Sequence, residues 1–162
     1  MLAKLLVTST ICLMLSTSLW AQTADSIRGT WILVSSVTEK DGVKTDQFDA
    51  GANGMMSLDA DGHFMLTIIG PNLPKFASNN RVAGTPEENK AVISKSIAMI
   101  GTYLVNLSDK TLTFKVERST FPNWNGTEQK RSIVTASGDE LKYITATASS
   151  GGVGIVTWKH AK

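Results

Sequence analysis

Glu117 and Arg131 are the residues of this sequence whose types and spacing most suggest chemistry. Glu117 leads into the stretch STFPNWNGTEQKR, residues 119–131, and Arg131 ends it. In TLTFKVERS, Thr113, Lys115 and Glu117 share one strand face, and Leu112, Phe114, Val116 and Arg118 share the other. In TEQKRSIVTA, Thr127, Gln129, Arg131, Ile133 and Thr135 fall on one face. The two strands should pair as a hairpin across 120–126. Both faces are mixed, so alternation alone does not fix which one points inward. Turned inward together, Glu117 and Arg131 form a cavity ion pair. Such a pair is costly to desolvate unless geometry and further hydrogen bonds compensate. It would therefore serve a purpose: orienting a polar group of a bound molecule, or acid–base work at a carbonyl. Turned outward, the same residues are a rim pair of little consequence.

Other side chains could line a cavity beside them. Tyr103 and Tyr143 alternate with apolar residues and can hydrogen-bond inside a barrel. Gln129 shares the face of Arg131. Trp124 lies in the loop and reads either as a cover for the core or as a ligand contact. Met55, Met56 and Met65 offer adaptable apolar lining if they face inward, and ordinary core filling otherwise. The candidate ligand set is Met65, Tyr103, Glu117, Trp124, Gln129, Arg131 and Tyr143. Trp31 reads as a floor plug and Trp158 as packing.

Several chemistries find no footing in the sequence. The two histidines, His63 and His160, fall in different hairpins with no carboxylate at close spacing. A metal site normally needs three or four ligands, so no metal is expected. His63 reads as a solvated strand start, and His160 sits near a fraying C-terminus. No Gly-x-Ser-x-Gly elbow occurs. SSGGVG lacks the Lys and the following helix that a phosphate loop requires. No cofactor is expected.

The elements that must position these residues are mostly strands with period two. The first runs from Gly29 to Glu39, with KDG at 40–42 turning the chain into a looser segment that contains Phe48. NGMMSLDA (53–60) and HFMLTIIG (63–70) form a hairpin about DADG, where Gly62 tolerates positive φ. PNLPKFASNNRVAG (71–84) has no strand periodicity. TPEENKAVISKSIAM starts as a helix over about 86–98, with Thr85 and Glu88 forming a capping box and Pro86 at the first helical position. Strands resume at 100–107, 111–119, 127–136, 141–148 and 153–160. The pattern predicts an all-β, antiparallel, eight-stranded up-and-down barrel with one helix inserted between the third and fourth strands. A two-sheet sandwich is the alternative. The segment 71–98 either covers the barrel mouth or packs outside it.

Length and charge are consistent with this. The chain has 162 residues, 42% hydrophobic and 19% charged, with a net charge of +2 and no basic stripe. That excludes a disordered chain and leaves nucleic-acid binding without a footprint. Met1 to Lys4 and the apolar run LLVTSTICLML (5–15) read as a signal peptide, residues 1–21. The run is too short to span a bilayer. Cleavage is expected after Ala21, or after Ala24 because Leu19 is bulky for its position. The remainder, 22–162, is read as one barrel domain, exported to a periplasmic or extracellular location. Its single cysteine, Cys12, leaves with the leader, so neither disulfide nor thiolate is available. No membrane span remains after cleavage.

GTW at 29–31, opening the first strand, resembles the Gly-x-Trp start of lipocalins. DGHF (61–64), PKFAS (74–78), RVAGTPEE (81–88), GTYLV (101–105) and FPNWNGTEQKR (121–131) follow in that order. Together they resemble the bacterial lipocalin-like domain family, over about Ile27 to Trp158. The resemblance implies an eight-stranded barrel with a hydrophobic cavity. It also implies a late-strand Arg stacked on the first-strand Trp, where this sequence has Lys159 beside Trp158. The family often has His in the strand before FPNW, where Phe114 and Lys115 stand here.

Two functions follow. One is an exported protein binding a small hydrophobic molecule, whose dry cavity should reach roughly 300 Å³. The alternative is a cofactor-independent isomerase, cyclase or hydratase acting on a polyketide- or terpenoid-like substrate. It would use Glu117 and Arg131 as its catalytic pair, and needs both on one cavity. A solid-core interaction module is the third reading.

Overall fold

The computed structural model describes residues 27–106 and 108–162. The leader and both cleavage positions lie outside the described residues.

Nine strands form one antiparallel sheet, and the first pairs with the last. β1 (Gly29–Lys40) turns through Asp41 and Gly42 into β2 (Val43–Asp46). Both turn residues have positive φ, 52° and 78°, the requirement of a two-residue hairpin turn that matches strand twist. β2 is exposed at every position, so it carries no apolar periodicity. Without that period its sequence reads as a loose segment. β3 (Asn53–Leu58) and β4 (His63–Ile69) follow, then helix α1 (Pro86–Ser94). β5 (Ser96–Asn106), β6 (Thr111–Ser119), β7 (Glu128–Ala136), β8 (Glu140–Thr145) and β9 (Val153–His160) complete the chain.

β1 and β3 to β9 make a closed eight-stranded barrel, with β2 an added ribbon on the far end of β1. With β2 counted, the helix lies after β4, not between the third and fourth strands. It is also shorter than expected. Its capping box is present as predicted, but it stops at Ser94. Residues 96–99 pair with β4 instead, Ser96 opposite Ile69 and Met99 opposite Leu66. Strand pairing of Ile97 and Met99 overrides the helical spacing of Ile93 and Ile97. The helix buries none of its residues in the core.

The hairpin turns at 59–62, 108–110 and 137–139 and the β1–β9 seam around Trp31 gather at one end. The longer connections 41–52, 70–95, 120–127 and 146–152 gather at the other. The turn end is solid. Trp31, Met56, Leu58, Leu112, Phe114, Leu141 and Trp158 are fully buried. The Trp31 Nε1–H donates to the Ile27 carbonyl at 2.8 Å. Trp31 is thus the floor plug foreseen. The residue against it is His160 rather than Lys159. It lies opposite Trp31 in the seam, with ring centroids 4.9 Å apart and planes at 90°. That is a favourable edge-to-face arrangement. His160 is an ordered seam residue, not a frayed end.

Candidate functional site

The register of β6 and β7 decides the direction of the two charged candidates. Leu112 lies opposite Arg131, Phe114 opposite Gln129, and Lys115 opposite Glu128. Residues directly opposite in an antiparallel pair share a face. Arg131 therefore shares the inward face of Leu112 and Phe114, while Glu117 follows Thr113 and Lys115 outward. Arg131 is 5% exposed and Glu117 is exposed. Of the two alternatives, the inward Glu117–Arg131 ion pair does not form, and with it goes the version of the enzyme that depended on it. Outside, Lys115 pairs with Glu128 at 3.1 Å.

Arg131 borders an inner cavity of about 50 Å³ near the long-loop end. Its apolar wall comes from Leu66, Ile68, Ile97, Met99 and Val156. Tyr143, on the neighbouring strand, is 3% exposed and lines the same cavity. The volume is far below the 300 Å³ expected of a ready-made hydrophobic cavity. Side chains fill the rest of the barrel. At about 10–15 Å³ per water, 50 Å³ holds a few waters or one small polar group.

A second pocket of about 280 Å³ adjoins it. Gln47, Phe48, Ile97, Trp124 and Ser149 border both spaces, so they form the partition between them. Ile93 and Ser94 of α1 line the second pocket together with Phe121. The segment 71–98 therefore contributes to the barrel mouth through the end of its helix.

The loop that carries Trp124 has defined internal bonds. Pro122–Trp124 form a short 3₁₀ turn. The Asn125 side chain accepts from Ser119 N at 2.8 Å, and Gly126, at φ 74°, donates to the Val116 carbonyl. Phe121 meets Trp124 edge-on at 5.5 Å. Gln129 does not reach the cavity. Its Nε2 donates to Thr127 Oγ1 at 2.9 Å, and that hydroxyl donates to the Trp124 carbonyl at 2.8 Å. Gln129 thus braces the loop from below.

Electrostatically the inner cavity is one-sided. Arg131 Nη1 donates to its neighbour's carbonyl, Lys130 O, at 3.2 Å, and the guanidinium carbon stands 5.9 Å from the Phe114 ring centroid. Among the described residues no carboxylate is within ion-pair distance of it, and none lines the cavity or the mouth. Burial holds its pKa below the ordinary guanidinium value, and the phenol of Tyr143 opposes that shift. Burial likewise raises the Tyr143 pKa, against the Arg131 charge and a hydrogen bond from Trp158. That bond runs from Trp158 Nε1–H to the Tyr143 oxygen at 3.2 Å. The phenol accepts there, and its own O–H proton has no acceptor among the described residues.

The remaining candidates fall elsewhere. Tyr103 is buried at the turn end, where its O–H donates to the Asp59 carbonyl at 2.7 Å. Met65 is 61% exposed on the outer face of β4, and Met55 is also outward, while Met56 is core. His63 does have a carboxylate nearby, contrary to expectation, since Asp59 Oδ2 lies 3.5 Å from its Nδ1. Both are exposed at the turn, and among the described residues no group of three or more His, Cys, Asp or Glu is placed to hold a metal. No helix among them is long and apolar enough to cross a membrane. Phe48, Ile93, Ile97 and Met99 were missed as site residues. The alternation of Ile97 with Met99 was the available signal.

The model of the lipocalin-like domain matches residues 28–161. The chain belongs to the lipocalin-like domain family. Closure of β1 on β9, with Trp31 beneath, is how this lipocalin-like chain shuts its barrel. Among the solved structures that resemble it are two designed proteins. A redesigned β-barrel is 16% identical, covering 87% of this chain and 96% of its own, with a TM-score of 0.46. A de novo designed fluorescence-activating β-barrel is 14% identical, covering 86% and 98%, with a TM-score of 0.44. No curated protein matches the chain.

Proposed function

We propose that this lipocalin-like protein binds a small, mainly apolar molecule at the open end of its barrel. The observation that carries the reading is the shared partition. Phe48 and Trp124 separate a 280 Å³ mouth from a 50 Å³ inner cavity, and both spaces have mostly apolar walls. Rotation of these two side chains joins them into a space of the size that small-molecule sites occupy, about 300 Å³ and upward. Trp124 is only half-buried and sits on a loop, where such a rotation costs little core packing. The leader read in residues 1–21 supports a role outside the cytoplasm, and the binding reading itself needs no cofactor.

The test is native mass spectrometry of the protein purified from its own host, paired with titration of tryptophan fluorescence by 1-decanol. A co-purifying small molecule, or a saturable fluorescence change, is the expected result. A bare mass together with an unresponsive spectrum defeats the proposal.

A further inference from the structure

We infer that the molecule is an amphiphile with a terminal carboxylate, held head-down, with Arg131 and Tyr143 binding the carboxylate and the mouth taking the apolar tail. This rests on the binding reading above and specifies its ligand.

Arg131 is a cation that folding has placed inside the barrel at 5% exposure. Burying a charge is expensive, and natural proteins normally pair it. Among the described residues no carboxylate pairs with it. A guanidinium has five N–H donors, and among the described residues only the bond to the Lys130 carbonyl is made. No buried side-chain nitrogen or oxygen among the described residues is sealed off without a partner. The other Arg131 nitrogens are therefore not sealed off, and the residue borders the cavity. Tyr143 adds an unspent O–H to the same space, its oxygen already fixed by Trp158. Charged fork and phenol together form a donor set suited to a planar anion, which a guanidinium binds with two parallel bonds.

The volumes assign the ends of the ligand. The inner 50 Å³ accommodates a carboxylate and little else. The mouth, walled by Phe48, Ile93, Ile97, Phe121 and Trp124, suits a hydrocarbon tail. No acidic side chain lines either space among the described residues to repel the head.

Decanoate, 1-decanol and acetate, titrated at pH 7 against tryptophan fluorescence, test this on the wild-type protein and on Arg131→Met and Tyr143→Phe. Decanoate is expected to bind at least about tenfold more tightly than decanol, with acetate silent. Arg131→Met should erase the preference while decanol binding persists, and Tyr143→Phe should weaken decanoate severalfold. Equal binding of decanoate and decanol by the wild type overturns the anion assignment and leaves the apolar-ligand reading standing. No binding of either overturns both. Acetate binding as strongly as decanoate overturns the amphiphile and indicates a free-anion site. The wild-type comparison decides the matter even if a variant fails to fold.

Discussion

The guanidinium carbon of Arg131 stands 5.9 Å from the centroid of the Phe114 ring, and that aromatic face is the nearest thing to a counter-charge the described residues give it. A cation–π contact contributes about 0.5–2 kcal/mol, less than the several kcal/mol that an effectively desolvated ion costs. The ligand-free barrel therefore carries a local instability at its centre.

Replacing that cation tests the balance. Arg131→Met keeps the length of the side chain and removes the charge. The variant is expected to be more stable than the wild type by about 1–4 kcal/mol, read from the midpoint of urea denaturation. A loss of stability would mean that the guanidinium holds the fold together.

Tyr143 makes stability depend on alkaline pH. Its folded pKa is raised by burial above the ordinary phenol value of about 10. As pH climbs past 10 the unfolded chain releases this proton and the folded one keeps it. The tyrosine's contribution is full below pH 10 and is lost on the alkaline side. Urea midpoints between pH 9 and 11 should fall more steeply for the wild type than for Tyr143→Phe. At neutral pH the same variant should lose about 1–3 kcal/mol, because Trp158 Nε1–H is left buried without its acceptor.

Trp124→Ala removes one of the two aromatic side chains of the partition. Since the residue is half-buried, the stability cost should stay near 1–2 kcal/mol, by roughly 25 cal/mol per Å² of apolar area. Dissociation of bound 1-decanol should accelerate about tenfold in stopped-flow displacement, as expected when affinity is lost mainly through the off-rate. An unchanged rate would place the ligand's exit elsewhere.

Gly101 sits where the β5–β6 register shifts. A Cβ there would run into the Lys115 carbonyl oxygen and crowd Glu117 N at 2.9 Å. Both are backbone atoms of a paired strand and cannot swing aside. Gly101→Ala should cost about 1–3 kcal/mol, measured by thermal unfolding.

Glu88 ties the loop before α1 to the helix. Its carboxylate accepts from Ala77 N at 2.9 Å and Thr85 N at 2.8 Å, and these bonds, Ala77 first, lower its pKa. The contribution is present above the ordinary carboxylate range and is lost as pH falls through the lowered value. The amide resonances of Ala77 and Thr85 should shift together in an NMR titration, with a midpoint below about 4.3. A midpoint at the ordinary value would mean that these bonds are not kept in solution.

Much of the barrel could be read from the sequence because strand alternation and turn glycines are local signals. Asp59 to Gly62 and the Thr85–Glu88 box declare themselves within a few residues. β2 does not, since a ribbon exposed on both faces has no period to detect. The helix end failed differently. Residues 96–98 are compatible with helix locally, and only pairing with β4 makes them strand. The charged pair shows the same limit more sharply. Arg131 and Glu117 were both legible as candidates, but register decides their faces, and a shift of one residue would exchange them. Trp124, Arg131 and Tyr143 converge as cavity residues. Phe48 could not be foreseen because nothing in its own neighbourhood places it over the mouth.

The seam between Trp31 and His160 has a consequence in time. The first strand of the barrel has its final neighbour in the last, with nearly all of the described chain in between. During synthesis β1 emerges early and waits with one edge open, while each later hairpin can form as it appears. Closure cannot occur until the ribosome has released the residues around His160. A pairing of such sequence separation is also among the slower steps in folding. The barrel therefore stays open until its last strand has emerged, and only then becomes a container.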